Sequence, residues 1–355
     1  MKRHLALFLL LLLLTGCGTV PPEKAHESIQ VIAMDTPMLL TAYGKTATKA
    51  VYAAEDVIRK LDEQLSRTNP ESDVSRLNNA GDEPVSVGGS LRVLLSEAIF
   101  YDHVTDGAYN MAIAPIVSAW GFGTDSPKVP EQAELDRLLD LVGNFTPWET
   151  GAGYALGTGQ AVDLGGIAKG YAADQVAEVF SENGVKSATA QLGGNVLAWG
   201  SRPDGEPWRV GLQDPERPDD QEGFAGVLAL SDAFAVTSGD YQRYFEQDGK
   251  RYHHIIDPAT GYPADSGLRS VTVTAPYKAA DETGNLPGTM CDAFSTALFV
   301  MGEEKALAFR ESWNAVPSNT PFDLILITED GRVVVTGDLD FTLDEESGYV
   351  VETVA

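Results

Sequence analysis

Cysteine is nearly missing from this chain of 355 residues, which has only Cys17 and Cys291. If Cys17 is modified, as its setting suggests, no intramolecular disulfide can form, and stability must come from a packed core. Histidine is scarce too. Of five, only His253 and His254 are adjacent, which argues against a zinc centre built from His and Cys. Positive charge is the third shortage: 25 Lys and Arg stand against 52 Asp and Glu, for a formal net charge of −27. So acidic a surface excludes electrostatic binding to nucleic acid or to an anionic membrane face. No membrane-spanning run is evident either, because Leu5–Leu14 supplies ten apolar residues where a spanning helix needs about 20.

That short run suits export instead. Lys2 and Arg3 precede it, so residues 1–16 read as a signal peptide. Leu14-Thr15-Gly16-Cys17 resembles a bacterial lipobox, with Cys17 the lipidated first residue after cleavage. Two acyl chains there suffice for stable anchoring, and residues 17–29, with Pro21-Pro22, read as a tether. The protein is therefore expected in the cell envelope, lipid-anchored and facing away from the cytoplasm. Losing Lys2 and Arg3 with the leader takes the net charge to −29.

Residues 30–355 are long enough for one large domain, with a possible lobe boundary near 143–159, where periodicity is poor. Helical spacing marks Ala47–Leu65, Gly89–Thr105 and Gln132–Leu141. Strand-like runs fall at Ser187–Gln191, Val196–Trp199, Trp208–Gln213, Val227–Thr237 and Tyr252–Ile256, then at Ser270–Thr274, Asp323–Thr328 and Val333–Val335. Helices early and strands late predict an α+β fold, with mixed or antiparallel sheets and flanking helices.

Asp163-Leu-Gly-Gly-Ile-Ala-Lys-Gly-Tyr-Ala-Ala-Asp174 is the most informative stretch. It reads as a strand end, a glycine turn and a helix, with Ile167, Tyr171, Val176, Val179 and Phe180 on one face and Asn183-Gly184 as the stop. Gly165 and Gly166 admit a ligand closely and can take positive φ. The free N–H groups of the first turn, with Lys169, would then meet an anion such as a nucleotide phosphate. Neither standard nucleotide fingerprint is present. Asp292 and Thr296, four apart on a predicted helix, place a carboxylate and a hydroxyl on one face, with Ser295 beside them. They suit an oxygen-ligated magnesium ion, although Asp292 would equally suit a helix N-cap. His254 is the general-base candidate. Asp257 either orients it or shapes the Asp-Pro-x-Thr-Gly turn. His253 has the wrong strand parity, and Cys291 reads as a small core filler.

These stretches come with Met34-Asp-Thr36, Ser72–Asn78, Asp106-Gly-Ala-Tyr-Asn110, Trp120-Gly-Phe-Gly123, Gln191-Leu-Gly-Gly-Asn195, Thr237-Ser-Gly-Asp-Tyr241 and His253–Pro263. In that order the set, spanning about Ile32–Gly337, resembles the ApbE family, the FAD:protein FMN transferases. The resemblance implies a two-lobed α+β fold and FAD as substrate. It implies magnesium held by Asp292, Thr296 and the Gly166 backbone oxygen, and release of AMP as FMN passes to an acceptor threonine. It assigns flavin-nucleotide contacts to Met34, Thr68, Ala108, Tyr109, Asn110, Asp163 and Ile256. Tyr109 and Trp120 are aromatic candidates for stacking on a ring. The acceptors implied are flavoprotein subunits of membrane electron-transport complexes. Other readings are a magnesium-dependent FAD pyrophosphatase and a flavin-binding lipoprotein without catalysis. Asp35 stands where the family usually has Gly, Asn110 where it usually has Asp, and Asp281–Thr289 looks like an inserted lid.

Overall fold

The computed structural model describes residues 25–143, 145, 147–220, 223–277 and 286–355. Residues 1–24, with the expected signal peptide, Cys17 and most of the tether, lie outside the described residues, as does 281–285 of the expected insertion. The described helices are α1 Ala47–Leu65, α2 Asp73–Asn79, α3 Gly89–Val104, α4 Ala114–Trp120, α5 Gln132–Gly143, α6 Ala168–Glu182, α7 Pro287–Met301 and α8 Glu303–Asn314. Strands in the first half are β1 His26–Ala33, β2 Thr36–Tyr43, β3 Trp148–Thr150, β4 Gly153–Ala155, β5 Ser187–Gln191, β6 Asn195–Gly200, β7 Trp208–Gln213 and β8 Phe224–Leu230. Those that follow are β9 Ala233–Gly239, β10 Tyr244–Gln247, β11 Lys250–His253, β12 Leu268–Pro276, β13 Asp323–Thr328, β14 Arg332–Thr336, β15 Phe341–Leu343 and β16 Val350–Val354.

Nine strands form one sheet in the order β1-β2-β5-β6-β9-β12-β13-β14-β16. Its described pairings are antiparallel except β14 with β16, as an α+β fold requires. The central strands are apolar on both faces because both are covered. Phe234, Val236, Leu324 and Leu326 face the main core with α1, α6 and α7. Their neighbours Ala233, Ala235, Ile325 and Ile327 pack instead with Leu212, Ala225 and Leu228 of the smaller sheet β15-β8-β7. A third cluster, with Trp120, Leu135 and Leu138 at its centre, packs α4 and α5 under the β10–β11 hairpin.

Four expectations change. β1 begins at His26, so His26–Ile29 belong to the sheet and not to the tether; His26 pairs with Tyr43 in register and their rings stack. The main core draws on residues from both sides of 143–159, so that stretch does not divide two lobes; it carries the small β3–β4 hairpin, bridged to Val85 through Tyr154. The apolar run Val227–Thr237 is two strands, because Asp232 takes a left-handed φ of 49° and turns the chain. Pro287–Thr289 form the first turn of α7, so the end of the expected lid is helix.

Candidate functional site

α6 and α7 cross at their N-terminal turns, and the loops ending β1, β9 and β11 come to the same place. Between them lies a cavity of about 780 Å³. His254, Met34, Thr68, Ala108, Tyr109, Asn110, Asp163, Lys169, Ile256, Gly166, Asp292 and Thr296 all line it. One expected ligand does not. Ser295 is fully buried, donates to the Asp292 carbonyl at 2.9 Å and shares a 2.8 Å hydrogen bond with Ser238. It lies behind the wall, supporting Ser238, whose hydroxyl is 3.5 Å from Thr296 Oγ1. Trp120 is also buried away from the cavity and donates to the Gly261 carbonyl at 2.7 Å; Phe122, two residues on, lines the cavity instead.

The glycine turn is built differently from expectation. Neither Gly165 nor Gly166 has positive φ. Space is what demands glycine: a Cβ on Gly166 would lie 3.2 Å from Thr296 Oγ1 and 3.3 Å from the Tyr109 ring. Most of the turn's donors are also used. Gly165 N–H goes to Asp163 Oδ1 at 2.7 Å, Ile167 and Ala168 N–H to the Leu164 carbonyl, and Gly170 N–H to Asp292 Oδ2 at 2.8 Å. Among the described residues, the N–H groups of Gly166 and Lys169 have no protein acceptor. The anion cradle is therefore narrower than a bare helix N-terminus. Lys169 reinforces it, its Nζ resting on the Gly165 carbonyl at 3.3 Å.

Two further cations line the cavity that sequence reasoning missed. Arg67 pairs with Asp163 at 3.4 Å, and Arg243 reaches the Asp35 carbonyl at 3.4 Å. In a chain of net charge −27, these two and Lys169 bring three cations to a cavity that Asp35, Asp62, Asp163, Asp219 and Asp292 also line. Position offers the only sequence signal: Arg67 precedes Thr68, and Arg243 follows Tyr241 by two. Asp62, also missed, accepts the Met34 N–H at 2.9 Å. Met34 and Asp35 hold left-handed φ of 49° and 56°, a tight turn that costs strain in residues bearing Cβ. Asn110 caps the short 3-10 turn Met111–Ile113 by accepting the Ala112 N–H at 2.8 Å, which a carboxylate would do equally well.

His254 stands opposite. Its Nδ1 is 3.2 Å from the Arg243 carbonyl. A carbonyl can only accept, so this bond puts the proton on Nδ1 and leaves the Nε2 lone pair free. Burial, then the nearby charges of Arg243, His253 and Lys169, lower its pKa from 6.5 to about 3, so the ring is neutral at neutral pH. Asp257 does not orient it, since its carboxylate accepts from Ala259 N–H at 2.9 Å and Thr260 Oγ1 at 3.2 Å within its own turn. His253 is buried with Nε2 3.0 Å from the Ala264 carbonyl, and Cys291 is a buried thiol whose pKa burial pushes up.

The donor set suits a hard cation. Asp292 has one oxygen committed to Gly170, and Oδ1 has no hydrogen-bond partner among the described residues. Thr296 Oγ1 and the glycine turn are adjacent, and the Tyr109 hydroxyl is buried without a partner among the described residues. Burial first, then the Asp292 charge, pushes the Tyr109 pKa up. Carboxylate, hydroxyl and backbone oxygens are magnesium ligands in kind. Among the described residues there is no cluster of three or more His, Cys, Asp or Glu. A separate cavity of about 350 Å³, among Glu216, Asp240, Arg251, Arg269 and Glu329, is occupied by its own ion pairs.

The ApbE family profile matches residues 34–317. An FAD:protein FMN transferase of Klebsiella pneumoniae (strain 342) is 34% identical over 332 residues, covering 91% of this chain and 96% of the relative. One of Treponema pallidum (strain Nichols) is 33% identical over 340 residues, covering 90% and 88%. Among solved structures, the ApbE protein of Thermotoga maritima superposes with a TM-score of 0.75 at 28% identity, covering 91% of this chain and 98% of that one. The flavin transferase ApbE of Vibrio cholerae gives 0.71 at 27% identity, with the same coverage.

Proposed function

The chain belongs to the ApbE family, and from that premise we propose that it transfers FMN from FAD to a protein threonine, releasing AMP, with His254 as general base. The observation that carries this reading is the single cavity on which the nucleotide-contact residues, Asp292, Thr296 and His254 converge. His254 Nε2 accepts the proton of the attacking hydroxyl, and the Arg243 carbonyl holds the ring in the tautomer that can do so. The hydroxyl oxygen bonds to the FMN phosphorus as the bond from phosphorus to the bridging oxygen breaks, and that oxygen leaves on AMP. Lys169, Arg67 and Arg243 hold the phosphates in this otherwise acidic protein. Asp292, Thr296 and the Gly166 carbonyl would hold magnesium, which when bound neutralises pyrophosphate charge and stabilises the leaving phosphate.

On this reading, Cys17 carries the lipid anchor and keeps the enzyme at a membrane, facing away from the cytoplasm. There its acceptors are flavoprotein subunits of membrane electron-transport complexes. The test is intact-mass analysis of an acceptor subunit incubated with FAD, magnesium and the enzyme. An added mass of FMN on a threonine, with AMP released in equal amount, supports transfer. Free FMN and AMP with no mass gained would make water the acceptor and the protein a pyrophosphatase.

A further inference from the structure

Two buried carboxylates cross between α6 and α7, and only one of them belongs to the cavity. Asp292 of α7 reaches back to the first turn of α6 and accepts the Gly170 N–H at 2.8 Å. Asp174, two turns along α6, does the converse. Its Oδ1 accepts the Gly288 N–H at 2.8 Å, and its Oδ2 accepts the Thr289 N–H at 2.8 Å and the Thr289 hydroxyl at 2.6 Å. Neither helix is capped by its own N-cap side chain: Ile167 and Leu286 make no such bond. Each helix instead caps the other, satisfying orphan donors that would otherwise be buried. The helices can approach this closely because two glycines face each other. A Cβ on Gly170 would lie 2.2 Å from the Gly288 carbonyl oxygen, and one on Gly288 would lie 2.7 Å from the Gly170 carbonyl oxygen.

This exchange determines what Asp292 can offer a ligand. Oδ2 already accepts the Gly170 N–H, and Oδ1 is the oxygen without a partner among the described residues, so Oδ1 is the better placed of the two to meet a ligand. Where that oxygen stands depends on the register of α7 against α6, as does the place of Thr296 one turn on. We propose that Asp174 is a positioning residue of the cation site, fixing α7 against α6 so that Asp292 Oδ1 and Thr296 Oγ1 face the glycine turn together. The inference rests on the reading of Asp292, Thr296 and the Gly166 carbonyl as cation ligands.

All three bonds to Asp174 run from donor to acceptor, so an amide there is a poor substitute. Asp174→Asn must set its NH2 group against the backbone N–H of Gly288 or that of Thr289, neither of which can accept, whereas the Thr289 hydroxyl can turn to do so. Thr289→Ala removes one donor only, and Thr289→Ser keeps it. Partners behind a metal ligand typically contribute about 10- to 100-fold in metal affinity.

The experiment is a Mn2+ titration followed by electron paramagnetic resonance on the full-length protein, beside FAD affinity measured without metal by flavin fluorescence. Asp174→Asn is expected to weaken Mn2+ binding at least about 10-fold while FAD affinity stays at the wild-type value. Thr289→Ala is expected to weaken it less, with Thr289→Ser restoring it. Should Asp174→Asn fail to fold, the two Thr289 variants decide between the outcomes by the same readout. Wild-type Mn2+ affinity in Asp174→Asn and Thr289→Ala, with Asp292→Ala losing the ion, overturns the positioning role and leaves the cation reading standing. Equal losses of Mn2+ and FAD affinity would mean a general loosening of the fold and would also overturn it. Wild-type Mn2+ affinity in Asp292→Ala removes the cation reading itself.

Discussion

The two walls of the cavity are made in opposite ways. On one side, α6 and α7 meet backbone to backbone, most donors of the glycine turn have a fixed partner, and α7 is buried along most of its length. On the other, His254 follows the short β10–β11 hairpin, held through a single carbonyl of Arg243, while the neighbouring β1–β2 turn keeps two non-glycine residues at left-handed φ. The first wall is fit to hold a pyrophosphate and a cation in a set place. The second is held by fewer hydrogen bonds and lies on loops, where the proposed acceptor side chain would enter. Cation binding should therefore depend on the first wall and proton transfer on the second.

Removing the proposed base makes the largest break. His254→Ala should lower the transfer rate by about 10²- to 10⁴-fold and leave FAD affinity within about twofold, read by acceptor mass gain against time and by flavin fluorescence. Next comes the rigid wall itself. A methyl at Gly170 would meet the Gly288 carbonyl at 2.2 Å, and neither backbone can yield. Gly170→Ala should lose about 3 kcal/mol of stability in denaturant unfolding, while alanine at Gly249, which has positive φ but open space, should cost only about 1 kcal/mol.

A pH effect is confined to acid conditions. The folded pKa of His254 lies below its unfolded value, so the unfolded state binds more protons between pH 6.5 and about 3. Its contribution to stability is complete above pH 6.5 and is lost as pH falls through that window. His254→Gln should flatten the acid side of the stability profile, and wild-type transfer should show no acid limb near 6.5. The smallest effect is on the second wall. Asp35→Gly relieves a left-handed residue and should raise stability by about 1 kcal/mol or less in denaturant unfolding, offset in part by the added freedom of glycine in the unfolded chain.

What the sequence reveals follows the same division. α1, β5, β7 and β13 match their sequence boundaries end to end, because their periodicity is strong and both ends are punctuated. β8 and β9 read as one strand because alternation cannot show a turn inside an apolar run when both sheet faces are buried. The short strands β10 and β16 carry little periodic signal, since their residues are mostly exposed, and β15 is only three residues long. At the site, motif residues were legible by type and spacing, yet spacing alone could not tell that Ser295 turns to Ser238. Arg67, Arg243 and Asp174 belong to contacts more than 90 residues apart in sequence, which no local pattern encodes.

The division of labour is tested most directly by measuring FAD affinity and single-turnover transfer side by side in His254→Ala and Asp292→Ala, each across a magnesium titration. The account predicts that His254→Ala binds FAD like wild type and stays inactive at every magnesium concentration. It predicts that Asp292→Ala regains part of its rate as magnesium rises. Loss of FAD affinity in His254→Ala in proportion to its lost rate, or undiminished wild-type transfer in the presence of EDTA, would contradict it.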